Sequence, residues 1–303
     1  MTLHDAMRQA CAAVGILSPD TTPAPGRWRR TNTLERNGKG DASVLIFDDA
    51  QGGICWNWQT SQKQPFSIRG QGEAPQPRRR DPEKERRAAE EAAIVARTCS
   101  LIVSACRQEP HPYLAAKGFP DELGLVHDDP RVAVPGGRLG EAMASAMPDT
   151  DQPLLVVPGR IGKQITTVQF ITVDGAKKNI LRGRMAGSSH RIATGRQTVV
   201  CEGIATALSV RAALRLLGVS ATVLSAFSAS NVAAVARGIP GSFIAADHDK
   251  PIEALHGKGT GEFYAEQSGR AWTMPKNLGD YNDMHQSEGL RAVALHLREV
   301  MPP

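Results

Sequence analysis

No two of the five cysteines (Cys11, Cys55, Cys99, Cys106, Cys201) form a Cys-x-x-Cys pair. Their scatter excludes a zinc ribbon and a disulfide framework and predicts a reducing, cytoplasmic compartment with no zinc. No apolar run approaches the ~20 residues that cross a bilayer. Residues 1–8 lack the basic stretch and apolar core of a signal peptide, so no membrane association is expected. Neither Ser209 nor Ser225 has a recognisable His/Asp relay in the sequence, which argues against a hydrolytic triad. The stretch Gly159-Arg160-Ile161-Gly162-Lys163-Gln164 lacks the glycine offset of a phosphate loop. Gln164 also stands where a metal-binding Ser or Thr belongs, so an ATPase site and a fused helicase are both excluded.

What is present is ordinary in bulk. The chain has 303 residues, 41% hydrophobic and 22% charged, with a net charge of +5. That length favours about two domains, and the mild basicity is compatible with a polyanionic partner without requiring one. Residues 2–16 read as an amphipathic helix with Leu3, Ala6, Met7, Ala10 and Val14 on one face. Val44–Phe47 and Gly53–Trp58 read as strands of a small antiparallel sheet. The Gly/Pro/Arg-rich stretch 70–82, with Arg78, Arg79 and Arg80, reads as a linker, followed by a charged helix over 83–107. Strands are predicted at 154–158, 165–173, 178–182, 198–202, 221–226, 242–247 and 271–274, and helices at 204–217, 230–237, 260–268 and 287–299. Strands alternating with helices imply a parallel sheet with helices on its faces. The expected organisation is a small N-terminal β-rich α+β module (1–69), a linker and charged helix (70–110), a mixed α+β region with a basic strand (111–196), and an α/β domain (197–303).

The chemistry concentrates at strand ends. Val199-Val200-Cys201 runs into Glu202-Gly203, and Phe243-Ile244-Ala245-Ala246 runs into Asp247-His248-Asp249. Ligands of open α/β sheets gather at the carboxyl ends of the strands. Hard cations take oxygen ligands, and Mg²⁺ usually binds one or two carboxylates plus substrate phosphates. Asp247 and Asp249, two apart, point the same way in an extended chain and suit a shared metal. His248 points away and reads as structural or substrate-facing. A further acidic group follows at Asp280-Tyr281-Asn282-Asp283. A single Asp after a strand is more often a turn former or helix N-cap, but the ordered set is far more specific than any member.

These stretches resemble a TOPRIM domain, the metal-binding fold of bacterial-type primases, topoisomerases and some nucleases. Glu202-Gly203-Ile204-Ala205-Thr206-Ala207 with Asp280-Tyr281-Asn282-Asp283 is similar to TOPRIM primases of plasmids, phages and integrated elements. His111-Pro112-Tyr113-Leu114-Ala115-Ala116-Lys117-Gly118 resembles a segment ahead of their catalytic core, and Gly26–Arg30 with Gly53–Thr60 resembles their N-terminal module. The resemblance implies a DNA primase that makes short RNA primers on single-stranded DNA from ribonucleoside triphosphates. It implies Glu202, Asp247 and Asp249 as catalytic, Asp280 and Asp283 as further metal-site acids, and Mg²⁺ or Mn²⁺ as cofactor. A separate replicative helicase is an expected partner. Thr206 departs from the pattern, since replicative bacterial primases carry another acid there.

Lys177-Lys178-Asn179-Ile180-Leu181-Arg182-Gly183-Arg184 is similar to the basic segment of these primases. It nominates Lys177, Lys178, Arg182 and Arg184 for triphosphate or template binding, although a charge run is more often a solvated face. Trp28, Trp56 and Trp58, with Arg27, Arg29 and Arg30, are candidate single-strand contacts, against the favoured reading that at least two of the three tryptophans are sheet core. His111 reads as a helix-boundary residue. Two other functions compete: a metal-dependent TOPRIM nuclease using the same acids, and a non-catalytic nucleic-acid-binding accessory protein. With three tyrosines (Tyr113, Tyr264, Tyr281) and no room for a strand-passage gate, a topoisomerase is disfavoured.

Overall fold

The computed structural model describes residues 1–35, 40–68 and 82–300. The linker at 70–81, including Arg78, Arg79 and Arg80, lies outside these residues. The chain divides into two units: Met1–Arg80 with Pro251–Thr260, and Asp81–Lys250 with Gly261–Pro303.

In the first unit, helix α1 (Leu3–Ala13) is started by a capping box. The Asp5 amide donates to Thr2 Oγ1 at 3.1 Å, and the Thr2 amide donates back to Asp5 Oδ2 at 3.1 Å. Strands β1 (Trp28–Thr31), β2 (Ala42–Ile46), β3 (Gly52–Asn57) and β4 (Lys63–Ser67) form an antiparallel sheet in that order. One face packs on α1 through Ala42, Val44, Ile46, Cys55 and Phe66 against Met7, Ala10, Cys11 and Val14. The predicted sheet is present. The expectation of core tryptophans is not met: Trp28 and Trp58 are exposed, Trp56 is partly buried, and none belongs to this core. Strand alternation sends them to the opposite face from Cys55 and Val44.

The second unit opens with α2 (Pro82–Ala105), β5 (Arg107–Pro110), α3 (Pro112–Ala116), β6 (Leu123–His127) and α4 (Arg138–Ala146). Strands β7 (Leu154–Ile161), β8 (Gln164–Ile171) and β9 (Lys177–Asn179) follow. Strands β5 to β9 make an antiparallel sheet in chain order. One face packs on α2 and α4 through Val156, Val168 and Phe170. The other packs Leu155, Val157 and Ile171 on Tyr113 and Leu114 of α3.

The α/β portion contains β10 (His190–Ala193), β11 (Gln197–Cys201), α5 (Ile204–Leu216), β12 (Ala221–Ser225) and α6 (Ala229–Arg237). It continues through β13 (Phe243–Ala245), α7 (Thr260–Gln267), β14 (Ala271–Thr273), α8 (Tyr281–Glu288) and α9 (Leu290–Val300). The sheet order is β10-β12-β11-β13-β14, with β11 to β14 mutually parallel and β10 antiparallel at the edge. Val199 and Cys201 face α5, α8 and α9, while Val200 faces α6 and α7. These strands are buried on both faces, which is why they read as continuous apolar runs. Ile204, Ala205 and Leu208 of α5 also join the layer of α3, β7 and β8, so the two sheets of this unit share α5.

Two predicted elements change. The strand expected over 178–182 ends at Asn179, and the chain then turns with Arg182 at φ +59°. The helix expected over 287–299 is two helices divided at Gly289, which has φ +87°. Among the described residues no helix is long and apolar enough to cross a membrane.

Candidate active site

Glu202 leaves the end of β11 and Asp247 follows the end of β13, its parallel neighbour. The β11 turn is fixed by its own carbonyl: Glu202 O accepts from the Phe227 amide at 2.8 Å and from Ser225 Oγ at 3.0 Å. Phe227 holds φ +72°, a strained conformation for a bulky residue, beside this turn. The Glu202 carboxylate accepts from the amide of Ala229, the first residue of α6, where the helix dipole favours an anion.

The loop after β13 is held from two sides. Asp249 Oδ2 accepts from the Gly261 amide at 2.9 Å. Gly261 has no room for a Cβ, which would lie 2.1 Å from the Asp247 carbonyl oxygen. His248 and Gly279 exchange backbone hydrogen bonds of 2.9 and 3.0 Å, which draws the loop carrying Asp280 to the one carrying Asp247. The His248 ring hydrogen-bonds the Pro275 carbonyl oxygen at 2.9 Å, a structural role.

Four carboxylates therefore share one field. Burial, then Asp249 and Asp280, push Glu202 up to about 7, with Lys177 opposing. Burial, then Glu202, Asp280 and Asp249, push Asp247 well above the usual carboxylate range, again against Lys177. Asp247 Oδ1 is buried without a hydrogen-bond partner. A hard cation fits such a set, since it would relieve the repulsion and give the orphaned oxygen a ligand to hold. Among the described residues no three His, Cys, Asp or Glu side chains form a ready-made cage. The donor set thus suits an ion held by one or two carboxylates and completed by phosphate oxygens and water.

Asp280 and Asp283 divide between roles. Asp280 caps α8, its Oδ1 accepting from the amides of Asn282 and Asp283 at 2.6 and 2.9 Å. Its Oδ2 accepts from Thr206 Oγ1 at 3.0 Å. Asp283 is the reciprocal member of the capping box, its Oδ2 accepting from the Asp280 amide at 3.0 Å. Asp283 is exposed and is not among the charges that shift Glu202 or Asp247.

The basic segment separates by strand alternation. Lys177 pairs with Ile171 and lies on the α3 side of the sheet, where its charge reaches Glu202 and Asp247. Lys178 pairs with Phe170 on the α2 side, and its Nζ donates to the Met147 carbonyl oxygen at 3.3 Å. Arg182 forms an ion pair with Glu91 of α2. Arg184 is exposed beyond the turn, its backbone paired with Thr166.

A cleft of about 260 Å³ opens beside the acids, lined by Tyr113, Lys117, Asp174, Lys177, Thr206 and Asp280. Lys117 and Tyr113 were missed as site residues, although the His111–Gly118 motif signalled their segment. His111 is the N-cap of α3, as its sequence context indicates: Nδ1 accepts from the Tyr113 amide, and Nε2 donates to the Pro153 carbonyl oxygen at 3.1 Å. Asn282 Nδ2 donates to the Lys117 carbonyl oxygen at 2.8 Å and ties α3 to α8. Ser209 does have a histidine, His285 Nδ1 at 3.2 Å, which the sequence did not reveal. Its fully buried hydroxyl also accepts from Asn282 and has no opening for a substrate. In the first unit, Arg27, Trp28, Arg29 and Trp58 all lie at the surface.

Residues 197–291 match the family model of the Toprim domain. The DNA primase TraC of Escherichia coli is 28% identical over 176 residues, covering 54% of this chain and 10% of that protein. The match thus spans about a tenth of that relative's length. Among solved structures, the primase fragment of the bacteriophage T7 primase-helicase protein is similar with TM-score 0.40 and 13% identity, over 86% of this chain and 94% of that one. The RNA polymerase domain of Mycobacterium tuberculosis primase DnaG is similar with TM-score 0.37 and 15% identity, over 70% and 82%. The residues that match the Toprim model lie within the α/β portion, from β11 into the start of α9.

Proposed function

We propose that this protein is a DNA primase, a nucleotidyltransferase that makes short RNA primers on single-stranded DNA. The observation that carries the proposal is the facing of Glu202, Asp247, Asp249 and Asp280 by Lys177, beside a cleft that Lys117 also lines. An acidic set that favours a cation, next to lysines that favour an anion, suits a nucleoside triphosphate bound with its metal. The similarity to a DNA primase over half of the chain supports the same reading.

In the reaction a 3′-hydroxyl attacks the α-phosphorus of an incoming ribonucleoside triphosphate and pyrophosphate leaves. When bound, Mg²⁺ or Mn²⁺ supplies Lewis-acid stabilisation of the attacking and leaving oxygens. Asp247 and Asp249 hold and orient that charge, with Asp280 beside them. Glu202, pushed up to about 7, is poised to accept the hydroxyl proton near neutral pH. Lys177 and Lys117 bind the triphosphate from the cleft side. Thr206 is a hydrogen-bond donor to Asp280 at the place of the absent acid. Cytoplasmic replication of a plasmid, phage or other mobile element, with a separate helicase opening the template, is the setting we assign.

The test is incorporation of labelled ribonucleotides on single-stranded templates with Mg²⁺ or Mn²⁺. Template-dependent oligoribonucleotides that vanish with Asp247→Ala are the expected result. Metal-dependent cleavage of the template without incorporation would replace this reading with a nuclease. Salt-sensitive DNA binding with neither reaction would leave a non-catalytic accessory protein.

A further inference from the structure

The open face of the N-terminal sheet carries an arrangement that the proposed catalytic site does not use. Register places Arg30 of β1, Ser43 of β2, Trp56 of β3 and Lys63 of β4 in one row across all four strands. The next row on the same face is Trp28, Leu45, Ile54 and Pro65. Trp58 follows just beyond β3, its Nε1 donating to Ser43 Oγ at 3.1 Å, which fixes the ring. The three indoles form a continuous patch, with centroids 6.0 Å apart from Trp28 to Trp56 and 6.0 Å from Trp56 to Trp58. Trp28 is 48% exposed and Trp58 36%, far more than a core aromatic shows.

The charges in these two rows have one sign, and the Asp41 carboxylate beside Trp58 is engaged by the amide and hydroxyl of Thr33 at 3.0 and 3.2 Å. The two rows contain Arg30 and Lys63 and no acid. Each cation rests on an indole: the Arg30 guanidinium lies 4.7 Å from the Trp58 ring centre, and Lys63 Nζ lies 4.3 Å from that of Trp56. Cation–π contacts at exposed sites are weak, whereas stacking of a base on an aromatic ring is stronger. A base can therefore take the ring face while the displaced cation moves to the adjoining phosphate. An apolar protein partner would have to desolvate both cations; a polyanion carrying flat rings satisfies rings and cations together.

We propose that this tryptophan patch, with Arg30 and Lys63, binds single-stranded DNA by stacking bases on the indoles and neutralising the backbone beside them. The choice of DNA over RNA rests on the primase reading; the stacking geometry does not. The patch replaces the sequence-based set in part. Trp28, Trp56, Trp58 and Arg30 stay, Lys63 joins them, and Arg29 leaves because it pairs with Val44, whose side chain faces α1.

The experiment is fluorescence anisotropy of the full chain with a labelled oligo-dT of about 20 nucleotides, long enough for one such site. Trp28→Ala should weaken binding by roughly fivefold to a hundredfold, and Trp28→Phe should retain most of it. Lys63→Ala should flatten the plot of log affinity against log salt by about 0.7. Both positions face solvent, and an unchanged thermal midpoint will show that each variant folds. Unchanged affinity in folded Trp28→Ala and Lys63→Ala would overturn the proposal. So would tighter binding of oligo-U than of oligo-dT. Trp28-dependent DNA binding without primer synthesis would sink the primase reading and leave the patch standing. Primer synthesis with binding indifferent to Trp28 would do the reverse.

Discussion

Thr206 Oγ1 donates to Asp280 Oδ2 at 3.0 Å, joining the first turn of α5 to the cap of α8 across 74 residues. Thr206 is fully buried. An acid at this position would place a second carboxylate against Asp280 within a field that already raises two others. Thr206→Val should cost about 1.5–3 kcal/mol in urea unfolding, the usual worth of a hydrogen bond to a charged group. Thr206→Glu should cost more. Wild-type stability in Thr206→Glu would show that the site accommodates the acid after all.

Stability should also report the repulsion among the acids. Glu202 and Asp247 hold their protons more tightly when folded than when unfolded, because both are pushed upward. Their contribution is therefore fully present below the ordinary carboxylate range and is lost as pH rises through about 7 for Glu202. Glu202→Gln should flatten that fall and raise the thermal midpoint in metal-free buffer at mildly alkaline pH. Millimolar Mg²⁺ should stabilise the wild type there and stabilise Asp247→Asn much less. A lower midpoint for Glu202→Gln at alkaline pH would count against a repulsive cluster.

Neighbouring lysines should separate cleanly. Lys177→Ala should raise KM for the nucleotide by about tenfold to a hundredfold, the range for one lost charge-assisted contact. Lys178→Ala should leave KM within a fewfold of wild type, since its ammonium donates to Met147 on the opposite side of the sheet. Equal effects in steady-state primer synthesis would refute the division by strand face.

Asp283 and Asp247 should part in the same way, stability against chemistry. Asp283→Ala removes one arm of the α8 capping box and should cost about 0.5–2 kcal/mol on denaturation. Its primer synthesis should persist. Asp247→Ala should lose synthesis by over a hundredfold, because metal-held charge stabilisation is worth several kcal/mol. Inactive, stably folded Asp283→Ala would place that residue in the proposed metal site.

Much of this was legible from apolar runs ending in acids. A strand buried on both faces needs such a run, and its carboxyl end is where the backbone turns out to the site, so Val199–Glu202 and Phe243–Asp247 declared both strand and acid. The cap at Asp280 was not legible in the same way. A capping Asp looks like any other loop Asp until the amides of Asn282 and Asp283 are seen to be satisfied by it. The orientation of Lys177 against Lys178 depends on register with β8, which no local pattern specifies. The tryptophans misled for a related reason: Trp56 alternates with Cys55 and Asn57, and which face α1 covers is decided by α1.

One consequence follows from the chain path after Asp249. Residues 251–260 pack with the N-terminal unit, where Gln62 Nε2 donates to the Ala254 carbonyl oxygen at 3.3 Å and Leu255 is fully buried, while Lys250 and Gly261 belong to the other unit. The backbone thus passes between the units three times, and neither unit is a single length of polypeptide. A truncation at residue 80 would strip the N-terminal piece of a buried leucine and leave the C-terminal piece with an apolar finger, Ile252 and Leu255, turned into water. In evolution or in the laboratory the two are exchangeable only together, or with that finger cut out and the gap between Lys250 and Gly261 closed.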